Sequence, residues 1–134
     1  MAKILIADDD ADILELVDYN LSKEGHEVHR AENGKIALEK ANELEPDMII
    51  LDIMMPEYDG VAVCEILRSK KKFKDTLIVF LTARMEDFTQ ISCYENGGDD
   101  YIVKPVRPRV FLSRVNAMLR RRDLVNDSNK NEIK

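Results

Sequence analysis

Short apolar runs alternate five times with segments whose apolar residues recur at helical spacing, and few folds satisfy that alternation. Lys3–Ala7 precedes Ala11–Lys23, where Ile13, Leu14, Leu16, Val17 and Leu21 share one stripe and Gly25 closes the helix. Glu27–Ala31 precedes a helix opened by Asn33-Gly34, carrying Ile36, Ala37, Ala41 and Leu44, and stopped by Pro46. Met48–Leu51 leads through a Pro56–Gly60 loop to Val61–Ser69. Leu77–Leu81 leads to Met85–Asn96, which ends at Gly97-Gly98. Tyr101–Val103 leads to Pro108–Arg122. Met48–Leu51 and Leu77–Leu81 contain no polar residue, as expected of parallel strands buried on both faces. The more polar Glu27–Ala31 belongs at a sheet edge. The pattern predicts a single doubly wound (βα)₅ domain of the α/β class: a five-stranded parallel sheet of order 2-1-3-4-5, right-handed crossovers and helices on both faces.

With 134 residues, 45% of them apolar, the chain suffices for one domain that buries about two-thirds of its unfolded surface. Residues 1–122 hold the pattern. Residues 123–134 are polar and without period, and are expected to form a tail or the start of a linker. The longest apolar run, Leu77–Leu81, is far short of the ~20 residues of a membrane span. Met1-Ala2-Lys3 runs straight into strand material, so no signal peptide and a cytoplasmic location are expected. Cys64 and Cys93 lack metal-ligand or CxxC spacing and read as reduced core cysteines. Net charge is −6, unevenly spread: residues 1–60 hold 16 acids against 5 bases, whereas residues 101–122 hold 7 bases and no acid. An acidic whole argues against direct nucleic-acid binding.

In a sheet of that order, ligands bind beyond the strand ends at the switch between strands 1 and 3. Asp8, Asp9 and Asp10 follow strand 1, Asp52 follows strand 3, Thr82 ends strand 4 and Lys104 follows strand 5. Carboxylates crowded there raise one another's pKa unless a cation sits among them. Oxygen ligands without His or Cys suit Mg²⁺. A lysine and a hydroxyl opposite them complete the parts of a phosphoryl-transfer site, with an aspartate as nucleophile. Asp10 and Asp12 have a plainer role, as acids at a helix N-terminus. The Lys70–Lys74 run reads as a solvated loop, and His26 and His29 as surface or packing residues around the edge strand.

Asp8-Asp9, Leu51-Asp52-Ile53-Met54-Met55-Pro56 with Asp59-Gly60, Leu81-Thr82-Ala83 and Asp100-Tyr101-Ile102-Val103-Lys104-Pro105 together resemble the receiver domain of two-component response regulators. The resemblance spans about residues 2–122. It implies phosphorylation of Asp52 by a phosphohistidine of a sensor histidine kinase or phosphotransfer protein. It also implies Mg²⁺ held by Asp8, Asp9, Asp52 and the Met54 backbone carbonyl, and phosphoryl contacts from Lys104 and Thr82. Tyr101 would be the switch aromatic, turning inward as Thr82 moves, and Lys104-Pro105 would be cis. Met54 and Arg84 flank the crater, and neither can orient a hydrolytic water, which predicts slow self-dephosphorylation.

Three other readings compete. A haloacid dehalogenase-type hydrolase needs a proton-carrying carboxylate two residues after the nucleophile, where this chain has Met54. A flavodoxin-like FMN carrier would meet three aspartates where its phosphate should sit. A degenerate, phosphorylation-independent receiver would lack residues that are all present here. Finally, Asp99-Asp100-Tyr101, Arg114 and Arg121 resemble OmpR/PhoB-type receivers, which implies a phosphorylation-enhanced homodimer through helix 4, strand 5 and helix 5. Gln90 and Val110 replace that subfamily's Arg–Glu pair, and Asn116 replaces a lysine partner for Glu95. The dimer is therefore expected to be weak, each exposed pair contributing only ~0–1 kcal/mol.

Overall fold

A computed structural model of the chain describes residues 1–83 and 92–133. Its elements follow the predicted alternation: β1 (Lys3–Ala7), α1 (Ala11–Lys23), β2 (Glu27–Ala31), α2 (Gly34–Leu44), β3 (Met48–Asp52), α3 (Gly60–Arg68), a 3₁₀ turn (Lys71–Phe73) and β4 (Leu77–Thr82). A helical stretch at residues 92–95 (α4), β5 (Asp100–Val103) and α5 (Pro108–Ile133) complete it. The sheet order is β2-β1-β3-β4-β5 and every pairing is parallel, as the sequence pattern predicts.

The wholly apolar strands have a direct cause. Leu5, Ile49, Leu51, Ile78 and Phe80 face a core filled by Ala37 and Ala41 of α2, Val63, Cys64 and Leu67 of α3, and Cys93 of α4. Their neighbours Ile4, Ile6, Met48, Ile50, Val79 and Leu81 face Leu14, Val17 and Leu21 of α1 and Phe111, Val115 and Met118 of α5. Successive strand residues point to opposite faces, so helices on both sides demand apolar residues at every position. β2 has only β1 beside it, and its outer residues stay half-exposed or exposed.

Helix ends follow local chemistry. Asp10, Asn33 and Asp59 cap α1, α2 and α3 by accepting backbone N–H groups of their first turns. Asp10 therefore has the helix-start role read for it. α2 ends at Glu45, which adopts φ 47, just before Pro46.

Two findings depart from the sequence reading. α5 continues to Ile133 and does not end at Arg122. Loss of the apolar stripe marks where α5 leaves the core, not where it stops. No Gly or Pro follows Pro108, and Asn, Asp and Ser cost at most ~0.7 kcal/mol each relative to Ala. The Lys70–Lys74 run is also less free than a solvated loop, because Phe73 is fully buried while the lysines stay exposed. Most of the predicted Met85–Asn96 helix, with Arg84 and Gln90, lies outside the described residues.

Candidate functional site

The strands deliver their C-terminal residues to one crater. Asp8 follows β1 and is fully buried. Asp52 ends β3 and Thr82 ends β4, both nearly buried. Lys104 follows β5, its backbone N–H bonded to the Thr82 carbonyl at 2.7 Å, which sets the lysine beside that strand end. The Lys104–Pro105 peptide is cis. Lys104 Nζ lies 3.1 Å from Asp8 Oδ2 and 3.5 Å from Asp52 Oδ1. Asp52 Oδ1 also accepts the Met54 N–H at 3.2 Å, and Asp8 Oδ1 accepts the Asp10 N–H at 2.9 Å. Asp9 is exposed at the rim.

Burial disfavours the charged form of Asp52, and the Asp8 carboxylate adds like-charge repulsion. Lys104 and the Met54 N–H oppose them only in part, so the Asp52 pKa is pushed up to about 6. Burial works against the charge on Lys104, but Asp8 and Asp52 together outweigh it and hold the lysine above its ordinary value.

One oxygen per residue of Asp8, Asp9 and Asp52 falls within 4.8 Å of the others. Asp8 Oδ2 is buried and makes no hydrogen bond; its 3.1 Å approach to Lys104 Nζ is an ion-pair contact outside hydrogen-bond geometry. Three carboxylates gathered around one lysine keep net negative charge, and a buried oxygen among them without an aligned hydrogen bond fits a small hard cation.

Tyr101 is half-buried, its ring edge-on to Tyr94 at a centroid distance of 5.9 Å and 72°. The acids assigned to a dimer face find partners inside the chain. Arg114 Nη2 reaches Asp100 Oδ1 at 2.9 Å and Oδ2 at 3.0 Å, and the Tyr101 carbonyl at 2.8 Å. Asp99 Oδ2 accepts from Arg68 Nη2 and from the Ile78 N–H, both at 2.8 Å. Arg121 lines a groove with Asp99, Asp100 and Tyr94. The Met54 side chain points to solvent at 64% exposure.

Several residues outside the crater read as the sequence suggests. Cys64 and Cys93 are free and buried; burial pushes the Cys64 thiol up to about 11. His26 Nδ1 accepts the Ala2 N–H at 3.2 Å and His29 meets Glu27 at 2.9 Å, both around β1 and β2.

Sequence reasoning missed two supports. A Cβ on Gly60 would stand 2.3 Å from the Asp52 carbonyl oxygen, so only glycine lets α3 start against the strand that carries Asp52. Arg68 holds the carbonyls of Gly97 at 2.9 Å and Phe73 at 2.7 Å as well as Asp99, which ties α3 to the turn before β5. The Asp59-Gly60 pair after a proline is a visible signal for the first. Arg68 looks in sequence like any last-turn cation.

Residues 4–116 match the family model described as "Response regulator receiver domain". The chain belongs to that family, the receiver domains of two-component signalling systems. Among its relatives, the alkaline phosphatase synthesis transcriptional regulatory protein PhoP of Bacillus subtilis is 42% identical over 128 residues, 96% of this chain and 52% of that protein. The transcriptional regulatory protein ResD of Bacillus subtilis is 45% identical over 119 residues, 89% of this chain and 48% of that protein. The chain thus spans about half the length of these relatives. Both are regulators of transcription, in keeping with the resemblance to OmpR/PhoB-type receivers. The chemotaxis protein CheY4 of Vibrio cholerae superposes with a TM-score of 0.84 at 32% identity, covering 87% of this chain and 98% of that one. Among the described residues no helix is long and apolar enough to cross a membrane.

Proposed function

We propose that this domain is a cytoplasmic signalling switch that takes a phosphoryl group onto Asp52 from a phosphohistidine of a sensor histidine kinase or phosphotransfer protein. The observation that carries the reading is the buried Asp8–Asp52 pair bridged by Lys104, with Asp9 close enough to join both carboxylates. An Asp52 pKa near 6 leaves the carboxylate ionised at neutral pH and ready to attack. One Asp52 oxygen bonds to phosphorus while the phosphorus–nitrogen bond breaks, and the imidazole nitrogen leaves with the electron pair. Asp8, Asp9, Asp52 and the Met54 backbone carbonyl would hold Mg²⁺, which neutralises charge on the phosphoryl oxygens. Lys104 pairs with one phosphoryl oxygen and the Thr82 hydroxyl donates to another. Thr82 thereby leaves its resting place, and Tyr101 turns inward behind it.

No observation favours the hydrolase alternative. Residue 54, where a leaving-group acid would stand, is a methionine facing solvent. Incubation with acetyl phosphate and Mg²⁺ is expected to add one phosphoryl group by intact mass, and EDTA to abolish it. Uptake that EDTA leaves unchanged would contradict the reading.

The output proposed is a weak homodimer through α4, β5 and α5. Asp99 and Asp100 already satisfy Arg68 and Arg114 within one chain, so pairing with a partner's Arg114 and Arg121 exchanges contacts and adds few. Sedimentation is expected to show more dimer with beryllofluoride and Mg²⁺ than without. A monomer in both states at high concentration would refute the dimer and leave this face to a different protein.

A further inference from the structure

We propose that Gly34, the first residue of α2, is a positioning residue for the loop that follows Asp52 and carries Met54; this inference rests on the Mg²⁺-dependent reading above. Gly34 is buried, and its backbone is not among the left-handed ones, so what matters is the missing side chain. A Cβ there would lie 2.2 Å from the Tyr58 carbonyl oxygen, 2.7 Å from its Cβ and 2.9 Å from its carbonyl carbon. Two of these three atoms are backbone, so no rotamer change relieves the clash.

The helix side of the contact is fixed, so the loop side, exposed from Pro56 to Asp59, takes up the displacement. α2 is pinned by the Asn33 cap, whose Oδ1 accepts the Ile36 N–H at 2.8 Å, and by Ala37 and Ala41, buried to 1% and 0%. The loop is closed on itself. The Tyr58 N–H bonds the Pro56 carbonyl at 3.0 Å, Glu57 sits at φ 70, and the Gly60 N–H bonds the Ile53 carbonyl at 3.0 Å. Gly60 in turn leaves no room for a side chain against the Asp52 carbonyl, where an added Cβ would stand 2.3 Å away. A push at Tyr58 therefore travels in two directions, through Pro56 toward Met54 and through Gly60 toward Asp52. Groups that orient metal ligands through hydrogen bonds change affinity without touching the metal by ~10–100-fold, and a displaced ligand-bearing loop acts in the same direction.

Calorimetric Mg²⁺ titrations and thermal melts of the whole chain separate positioning from simple destabilisation. Gly34→Ala is expected to weaken Mg²⁺ binding about tenfold or more. Asn33→Ala strips the cap from the same helix and lowers the melting temperature without pushing the loop. It is expected to bind Mg²⁺ within about twofold of the unaltered chain, as a variant that leaves the loop in place should. Equal affinity for Gly34→Ala and the unaltered chain would overturn the inference, as would losses in both variants that track only their melting temperatures. Should Gly34→Ala not fold, Gly34→Ala combined with Tyr58→Gly, whose loop can yield, is compared with Tyr58→Gly alone; weaker binding by the pair supports the inference and equal binding overturns it. An unaltered chain that binds no Mg²⁺ would instead overturn the reading of the site itself.

Discussion

Replacing Asp52 with Asn is expected to make the Mg²⁺-free protein more stable at pH 7.5 by about 2–3 kcal/mol, roughly 5–10 °C in melting temperature. Burial and the Asp8 charge raise the Asp52 pKa from 3.8 to about 6 in the folded chain. Below its unfolded value the group is protonated in both states and contributes nothing. As pH rises through the folded value it ionises in both, and the folded state alone carries the cost of a buried, crowded charge. The gain from Asp52→Asn should therefore be absent below about pH 3, grow as pH rises from about 3.8 to about 6, and shrink again when Mg²⁺ saturates the unaltered protein. Urea unfolding across that range checks it. A variant no more stable than the parent at pH 7.5 would mean that Lys104 already cancels the repulsion.

Gly60→Ala is expected to act in the opposite direction, destabilising the fold by about 2–3 kcal/mol. The added methyl would stand 2.3 Å from the Asp52 carbonyl oxygen, 3.0 Å from its carbon and 3.1 Å from the Ile53 Cα, all backbone atoms. Helix propensity would favour Ala by up to ~1 kcal/mol, so the predicted loss is net of that gain. The urea midpoint reads it directly, and an unchanged or higher midpoint would show that α3 can start further from β3.

Why some of this was legible in the sequence follows from what periodicity reports. Met48–Leu51 and Leu77–Leu81 declare strands buried on both faces, and the alternation with helices fixes parallel order. The rule that ligands gather beyond strand ends then singles out Asp8, Asp52, Thr82 and Lys104, which the fold does bring together. Contacts between segments distant in sequence leave no such trace. Gly34 against Tyr58, and Arg68 against Gly97 and Asp99, join residues with no shared period or motif. The Arg68 contact also ties the still exposed Asp99 to its own chain, where the acidic Asp99-Asp100 pair alone suggests two groups free for a partner. The length of α5 was hidden for a third reason. Apolar spacing measures packing, and at Leu124 and Val125, 66% and 57% exposed, α5 continues without burying its apolar residues.

If Asp52 is the acceptor, the phosphoryl group must be found on that residue. After incubation with acetyl phosphate and Mg²⁺, borohydride reduces an aspartyl phosphate to homoserine, and peptide mass spectrometry locates the change. Homoserine is expected at position 52 alone, with no change anywhere in Asp52→Asn. A modified Asp8 or Asp9 in the unaltered chain, or labelling that persists in Asp52→Asn, would contradict it.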